Sequence, residues 1–250
     1  MCAAVSSDIR LLGAEEIAAR LAEDRDALIE DAATAGVAAA QALWGQVLLD
    51  RGAETTAFGW FMKAAAQDHL MALNMVGRCY DLGWGVRVDK PRAAACFRVA
   101  AARGLDWGMY NYATLLALGE GVAEDKAGAL SWLERAAVQG SGLARAKAAN
   151  FVGSFAEDGW AGPRDLAKAR RCYARAAAGG DFRGCFNHAR MLGEAGAVAE
   201  ALPWLTRAGS LGHARFVGQA SAYLGASVIP AFRTQGLAAL RRGDQARRAC

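Results

Sequence analysis

The sequence predicts an all-α fold, a right-handed α-solenoid built from antiparallel two-helix repeats. Composition gives the first reason. About a quarter of the 250 residues are alanine, the best helix former, and only 4 are proline. The second reason is that glycines and small residues return at offsets of 32 to 40 residues along the chain. Periods of this length are typical of solenoids, whose units are too small to bury a core alone.

The repeat is seen best when its columns are aligned. An offset of 36 residues places Gly83-Trp84-Gly85-Val86 on Gly119-Glu120-Gly121-Val122, and an offset of 40 then takes Gly119 to Gly159. One column of the repeat holds bulky side chains, namely Phe61, Phe97, Leu133, Tyr173 and Leu205. Shortly after it comes a small pair in each repeat: Ala64-Ala65, Ala100-Ala101, Ala136-Ala137, Ala176-Ala177 and Ala208-Gly209. Bulky and small columns at helical spacing predict closely packed helices.

Each repeat is interpreted as a helix A followed by a helix B. The apolar spacing predicts one helix A near 71–82, ended by Gly83, since glycine readily adopts the left-handed conformation at a helix C-terminus. Asp89 is expected to cap the following helix B, which ends near Gly104.

Together these residues carry a family resemblance. The string Gly77-Arg78-Cys79-Tyr80-Asp81-Leu82-Gly83-Trp84-Gly85-Val86, followed by Asp89, Ala93 and Ala100-Ala101-Ala102-Arg103-Gly104, resembles the Sel-one-like repeat family, a relative of the tetratricopeptide repeat. The resemblance covers roughly residues 28–225. The units at about 37–68 and 181–212 have the shorter loop of plain tetratricopeptide repeats. The resemblance implies an α-solenoid that binds or assembles other proteins, and it names no partner.

The register divides the chain into three parts. Residues 1–36 are expected to form an N-terminal helical cap with a degenerate repeat. Residues 37–225 hold about five full repeats and the start of a degenerate sixth, and 226–250 form a basic helix with a tail frayed from Gly243. The net charge of +4 combines an acidic beginning with a basic end. We interpret these ends as solenoid caps on a monomer, with head-to-tail self-association as the alternative.

Several function classes find little support in the sequence. No apolar run is long enough for a membrane helix and no secretory signal is seen, so a cytoplasmic protein without membrane contact is expected. The Gly-x-Gly turns at 83–85 and 119–121 follow helices and lack a third glycine, so they are not interpreted as nucleotide loops. No arrangement of nucleophile and base is found. We therefore expect no enzymatic activity and no cofactor.

The cysteines and histidines leave three alternatives open. His69 and His213 lie at helix ends, which favours capping. A metal site of Cys172, Cys185 and His188 is conceivable, although no zinc motif occurs. A bridge between Cys79 and Cys96 is also conceivable. Some cysteine-rich secreted relatives are linked to a penicillin-recognising hydrolase activity, but this chain lacks their regular cysteine pair in each repeat.

The expected binding surface is the solvent-facing side of helix A, which lines the concave face in solenoids of this kind. Its predicted partner-binding residues combine aromatic, cationic and amide side chains: Asn74, Arg78, Trp107, Tyr110, Lys147, Asn150, Arg183, Phe186 and Arg190. Aromatic residues and arginine dominate binding hot spots, and cations attract carboxylates. The sequence thus predicts a protein scaffold or adaptor that binds a segment of acidic character. Two alternatives remain, that Trp107 and Phe186 pack as core, and that the basic C-terminal end binds nucleic acid.

Overall fold

The computed structural model describes residues 14–249, with side chains described from residue 24. This part of the chain contains helices and turns without any strand, which confirms the all-α class. The helices are α1 (Ala14–Thr34), α2 (Ala38–Asp50), α3 (Glu54–Ala65), α4 (Leu70–Leu82), α5 (Lys90–Ala102), α6 (Asp106–Leu118), α7 (Lys126–Gln139), α8 (Gly142–Asp158), α9 (Leu166–Ala178), α10 (Phe182–Glu194), α11 (Val198–Leu211), α12 (Ala214–Gly225) and α13 (Pro230–Ala249).

The chain forms two compact units, Met1–Ala100 (unit 1) and Ala101–Cys250 (unit 2). This division cuts across the predicted repeat domain at 37–225, whose limits stay a prediction. In unit 1, α1 packs on α2, α2 on α3 and α3 on α4. Helices α6 to α11 of unit 2 also pack in sequence, and α8 additionally contacts both α6 and α10. The A helices of unit 2 therefore lie side by side.

The longer turns inside the repeats are built alike. The A helices α4, α6 and α8 end on glycines in the left-handed conformation, with φ of 80°, 67° and 73° at Gly83, Gly119 and Gly159. Each turn then reaches an aspartate whose Oδ1 accepts from the amide three residues later, at Asp89, Asp125 and Asp165. The amide of each aspartate donates to a carbonyl of the preceding helix at 2.8–2.9 Å. The predicted roles of Gly83 and Asp89 are confirmed.

Gly85 shows why this turn in unit 1 admits no side chain. A Cβ at this position would overlap the main chain of Glu54 at the start of α3. The amide of Gly85 donates to Oε2 of Glu54 at 3.2 Å. The turn after one helix A is thereby fixed to the helix B of the preceding repeat.

A size-matched contact joins helix A to helix B within the repeats. Gly45, Gly77 and Gly153 on the A helices face the rings of Phe61, Phe97 and Tyr173 so closely that a Cβ would overlap each ring. In the intervening repeat the same two columns hold Ala113 and Leu133, both fully buried in one core cluster. An aromatic ring thus faces glycine, whereas the smaller leucine is matched by alanine.

Helix α13 packs along α11 and closes one side of unit 2. Phe232 is fully buried against Gly193, and Gly243 lies directly on the main chain of Thr206. The helix continues to Ala249, with Asp244 paired to arginines of its last turns. The sequence expectation of a tail frayed from Gly243 is therefore wrong for the described residues, because the missing Cβ lets the helix approach α11.

The size-matched contact predicts a coupled pair of substitutions. Gly77→Ala should lower the free energy of unfolding by about 1–3 kcal/mol, since the new methyl group meets the Phe97 ring. Phe97→Leu should also destabilise alone, but the double variant should be less destabilised than the sum by at least about 1 kcal/mol. Urea unfolding of the four proteins measures this coupling.

The matched control is Gly59→Ala in α3. Gly59 has open space where a Cβ would stand, so alanine should stabilise the protein by up to about 1 kcal/mol through its helix propensity. Additive effects of Gly77→Ala and Phe97→Leu would contradict the proposed size matching.

Candidate functional site

The A helices α6, α8 and α10 present a continuous set of predicted site residues in unit 2. We call the side formed by these three helices the helix-A face of unit 2. One repeat column places Trp107, Lys147 and Arg183 on it, and another contains Tyr110, Asn150 and Phe186. The columns continue across the face because α8 contacts both of its neighbours.

A cleft of about 300 Å³ opens on this face. It brings together four of the nine predicted partner-binding residues with four residues that are not among those nine. We call it the unit 2 cleft, and its lining residues are Tyr110, Thr114, Lys147, Asn150, Phe151, Ser154, Asp181 and Arg183.

Aromatic rings hold the two cations of the cleft in place. Trp107 packs edge-on against Tyr110, with ring centroids 6.2 Å apart, and Nζ of Lys147 lies 5.8 Å from the Trp107 ring centroid. The guanidinium of Arg183 lies 4.7 Å from the ring centroid of Phe182, while its side chain remains exposed. Cation–π contacts of this kind orient a charge without neutralising it.

The hydroxyl groups of the cleft are used within the protein. Thr114 Oγ1 donates to the Tyr110 carbonyl at 2.9 Å, and Ser154 Oγ donates to the Asn150 carbonyl at 3.5 Å. The carboxamide oxygen of Asn150 accepts from the Asn187 side chain at 2.9 Å. Burial raises the pKa of Tyr110, so its hydroxyl keeps its proton. The hydroxyl protons of Thr114 and Ser154 are therefore already used within the protein.

Asp181 is the acid among the lining residues of this cleft, and it is not one of the residues predicted from the sequence. It caps α10, where its Oδ2 accepts from the Gly184 amide at 2.8 Å, and its side chain is 1% exposed. Oδ1 has no hydrogen-bond partner among the described residues. Burial raises the pKa of Asp181, while the Gly184 amide and the charges of Lys147 and Arg183 oppose that rise. The sequence signal that could have identified it is its position directly after Gly180 and before a predicted helix, which is typical of an N-cap residue.

Arg190 does not act as an accessible cation of this face. Its Nη2 donates to both carboxylate oxygens of Glu157 at 2.6–2.7 Å, and its Nη1 donates to Glu194 at 3.2 Å. Tyr173, fully buried, donates to the same Glu157 carboxylate at 2.7 Å. The expectation that Arg190 is available to attract a partner is wrong, because two carboxylates already surround it.

Two further predicted residues are buried. Phe186 packs edge-on against Phe216 and Tyr223 and is 9% exposed, so its alternative interpretation as core is confirmed. Asn74 of unit 1 is 2% exposed. The expectation that these two side chains face solvent is wrong, since both are buried.

Unit 1 has a cleft at equivalent repeat positions, with a different lining. Its volume is about 390 Å³, and the lining residues are Ala39, Ala42, Leu43, Gln46, Phe61, His69, Met71 and Met75. The predicted Arg78 is not among them. Its guanidinium lies 4.5 Å from the ring centroid of Trp84, and burial lowers its pKa. The same position of the repeat is thus apolar in unit 1 and polar in unit 2.

The cysteines and histidines of the described chain have structural explanations. Cys79, Cys96, Cys172 and Cys185 are free thiols, and burial raises the pKa of Cys79 and of Cys185 to about 11. No bridge joins Cys79 to Cys96. His69 and His213 accept through Nδ1 from main-chain amides, which confirms their predicted capping role.

The conceivable metal site at Cys172, Cys185 and His188 does not form. Residues 24–249 contain no group of three or more histidine, cysteine or acidic side chains placed to hold a metal ion. Within the described helices, none combines the length and apolar character that crossing a membrane requires.

Four segments of the chain match a known family of repeats. A family model described as Sel1 repeat matches residues 38–69, 70–105, 108–141 and 146–181. The fifth predicted unit, at about 181–212, lies beyond these matches. No curated protein matches the chain.

Solved structures with the same fold come from several bacteria. A Sel1 repeat protein from Oxalobacter formigenes is 23% identical with a TM-score of 0.67, over 86% of this chain and 89% of that one. A putative Sel1 repeat protein from Klebsiella pneumoniae is 22% identical with a TM-score of 0.58, over 79% and 98% of the two chains. The c5321 antigen of uropathogenic Escherichia coli, with an SLR fold, is 23% identical with a TM-score of 0.61, over 88% and 48%. At these identities the likeness shows a common solenoid fold.

The Glu157–Arg190 pair predicts an acid-sensitive contribution to stability. Burial alone would raise the pKa of Glu157, but hydrogen bonds from Arg190 and Tyr173 outweigh it and hold the pKa below its ordinary value. The stabilisation is therefore complete above the pKa of an unfolded glutamate and is lost as the pH falls through the lowered folded pKa. Arg190→Met should reduce the free energy of unfolding by about 2 kcal/mol at pH 7 and by less in acid.

Urea unfolding of wild type and Arg190→Met, from neutral to acid pH, measures how the loss in the free energy of unfolding changes with pH. Lys168→Met is the matched control, since its ion pair with Glu134 is exposed and should contribute less than about 1 kcal/mol. A loss for Arg190→Met that stays constant from neutral to acid pH would show that packing, rather than the ion pair, is responsible.

Proposed function

We propose that this chain, which belongs to the Sel1 repeat family, is a non-catalytic interaction module that binds a segment of a partner protein on the helix-A face of unit 2. Sel1 repeat proteins generally mediate protein–protein interactions. The proposal adds a location and a partner chemistry to that general role.

The observation that carries the proposal is the unit 2 cleft itself. Four predicted residues, Tyr110, Lys147, Asn150 and Arg183, line one opening of about 300 Å³ on three adjacent A helices. Trp107 extends it with a partly exposed ring. Rigid aromatic groups beside an exposed arginine are the usual centre of a protein-binding surface.

The charges of the cleft favour a partner segment of acidic character. Lys147 and Arg183 are cations at its wall, whereas the acid among its lining residues, Asp181, is buried. A partner therefore meets positive charge first, and association is accelerated by an opposite charge on the approaching segment.

The other function classes find less support. The hydrolase alternative rests on relatives with a regular cysteine pair in each repeat, whereas the four described cysteines here are unpaired thiols. The nucleic-acid alternative rests on the basic C-terminal end of the chain. Two arginines of that end, Arg247 and Arg248, are paired with Asp244. Free thiols fit a reducing compartment, so the proposal includes a cytoplasmic location. It also keeps the monomeric state expected from the sequence.

The test is a quantitative capture experiment with matched charge changes. Wild-type protein, a Lys147→Glu/Arg183→Glu variant and an Arg170→Glu/Arg171→Glu variant are immobilised, and the bound proteins are compared by mass spectrometry. Both variants change the net charge equally, and Arg170 and Arg171 are exposed on α9, outside the helix-A face. A true partner should be lost about tenfold or more from the first variant and retained by the second.

Circular dichroism of each variant checks that the fold is intact before capture. Equal retention of every bound protein by the first variant and by wild type would refute the helix-A face as the binding site. Equal losses from both variants would mean that net charge, rather than this face, controls binding.

A further inference from the structure

We propose that a pocket between α8 and α9 binds a dianionic phosphate group through Arg145 and Arg175. Inorganic phosphate and phosphate monoesters share this chemistry. The inference goes beyond the proposed function and does not depend on it, because neither arginine lines the unit 2 cleft. It concerns residues of unit 2 alone.

Small residues leave the space for this pocket, which has a volume of about 380 Å³. We call it the α8–α9 pocket, and its lining residues are Arg145, Ala146, Ala149, Arg175, Ala178 and Gly179. A Cβ at Gly179 would lie 2.7 Å from the Cβ of Ala146, so the end of α9 lies close against α8. The two arginines are therefore the long side chains of an otherwise small lining.

The other B helices show why Arg175 is available to this pocket. In three of them a tryptophan ring holds the cation that follows it by three residues. The distances from cation to ring centroid are 4.0 Å for Lys63 and Trp60, 4.4 Å for Arg135 and Trp132, and 6.0 Å for Arg207 and Trp204. In α9 the buried Cys172 takes the place of the tryptophan. Arg175 instead donates through Nη2 to the Ala137 carbonyl at 2.9 Å.

The two guanidinium groups keep their charge. Arg145 and Arg175 are exposed, and neither forms an ion pair with another residue in the described range 24–249. The Ala137 carbonyl takes one of the five N–H donors of Arg175. This main-chain contact orients the guanidinium without neutralising it.

The charge and the donor geometry together favour a phosphate group. None of the six lining residues is acidic, so the lining has a net charge of +2. A phosphate monoester carries a charge of about −1.5 to −2 at neutral pH and has three strong acceptor oxygens. Guanidinium groups bind such oxygens with two parallel hydrogen bonds. A carboxylate has a single charge and would leave one of the two cations unmatched.

The experiment is an NMR titration with sodium phosphate at pH 7.5, with sodium chloride holding the ionic strength constant. The Nε–Hε signals of Arg145 and Arg175, assigned by their loss from the Arg145→Gln and Arg175→Gln variants, should shift and saturate at millimolar phosphate. In each variant the signal of the remaining arginine should report binding weakened by about fivefold or more. Arg170→Gln is the matched control, since Arg170 is exposed on α9 and does not line the pocket. It should leave phosphate binding unchanged.

A labelled peptide distinguishes the two sources of the phosphate group. Fluorescence anisotropy compares a fluorescein-labelled pentapeptide containing one phosphoserine with a twin that has glutamate at that position. The phosphoserine peptide should bind about tenfold more tightly than the twin. If it also binds more tightly than inorganic phosphate, a phosphorylated side chain is the better ligand. If inorganic phosphate binds more tightly, the pocket takes the free ion.

The inference is overturned if phosphate shifts the two arginine signals no more than chloride does at the same ionic strength. It is also overturned if Arg170→Gln weakens binding as much as Arg145→Gln does, or if the glutamate twin binds as tightly as the phosphoserine peptide. Thermal melts check the fold, and Arg145→Gln is the safer variant because it removes no contact between described residues. These outcomes leave the proposed function untouched, since its test changes Lys147 and Arg183.

Discussion

The contact between a small residue on helix A and a bulky residue on helix B is the constraint on which the rest of each repeat depends. Where helix A has glycine, the facing residue is aromatic, as in Gly77–Phe97 and Gly153–Tyr173. Close packing tolerates neither a void nor an overlap, so the two columns must change size together. The rotation of helix A about its axis is fixed by this contact, and so is the set of side chains that it turns away from the core.

The residues outside these columns are then free to differ from repeat to repeat. The cleft at one repeat position is lined by Leu43 and Met71 in unit 1, whereas Phe151 and Arg183 occupy the equivalent positions in unit 2. The capping residue differs in the same way, being His69 in one case and Asp181 in the other. A common scaffold thus carries different surface chemistry, which is how repeat proteins acquire distinct specificities.

Much of the architecture could be predicted because it depends on local and periodic signals. The turn at Gly83 and the cap at Asp89 are set by residues within the turn itself, and the bulky column identified Phe97 as core. The residues of the binding site were harder to predict from the sequence. Whether Phe186 or Arg190 reaches solvent depends on residues such as Tyr223 and Glu157, which neighbouring helices supply. A repeat column gives the direction of a side chain, but it does not reveal what stands in front of it.

Amide hydrogen exchange of the protein with its captured partner bound tests the central claim most directly. The account predicts that the partner adds protection in α6, α8 and α10, strongest in the first turns of α10 beside Asp181 and Arg183. Exchange in the B helices α7 and α9 should change less. Added protection confined to α7, α9 and α11, with the A helices unchanged, would contradict the helix-A face of unit 2 as the binding surface.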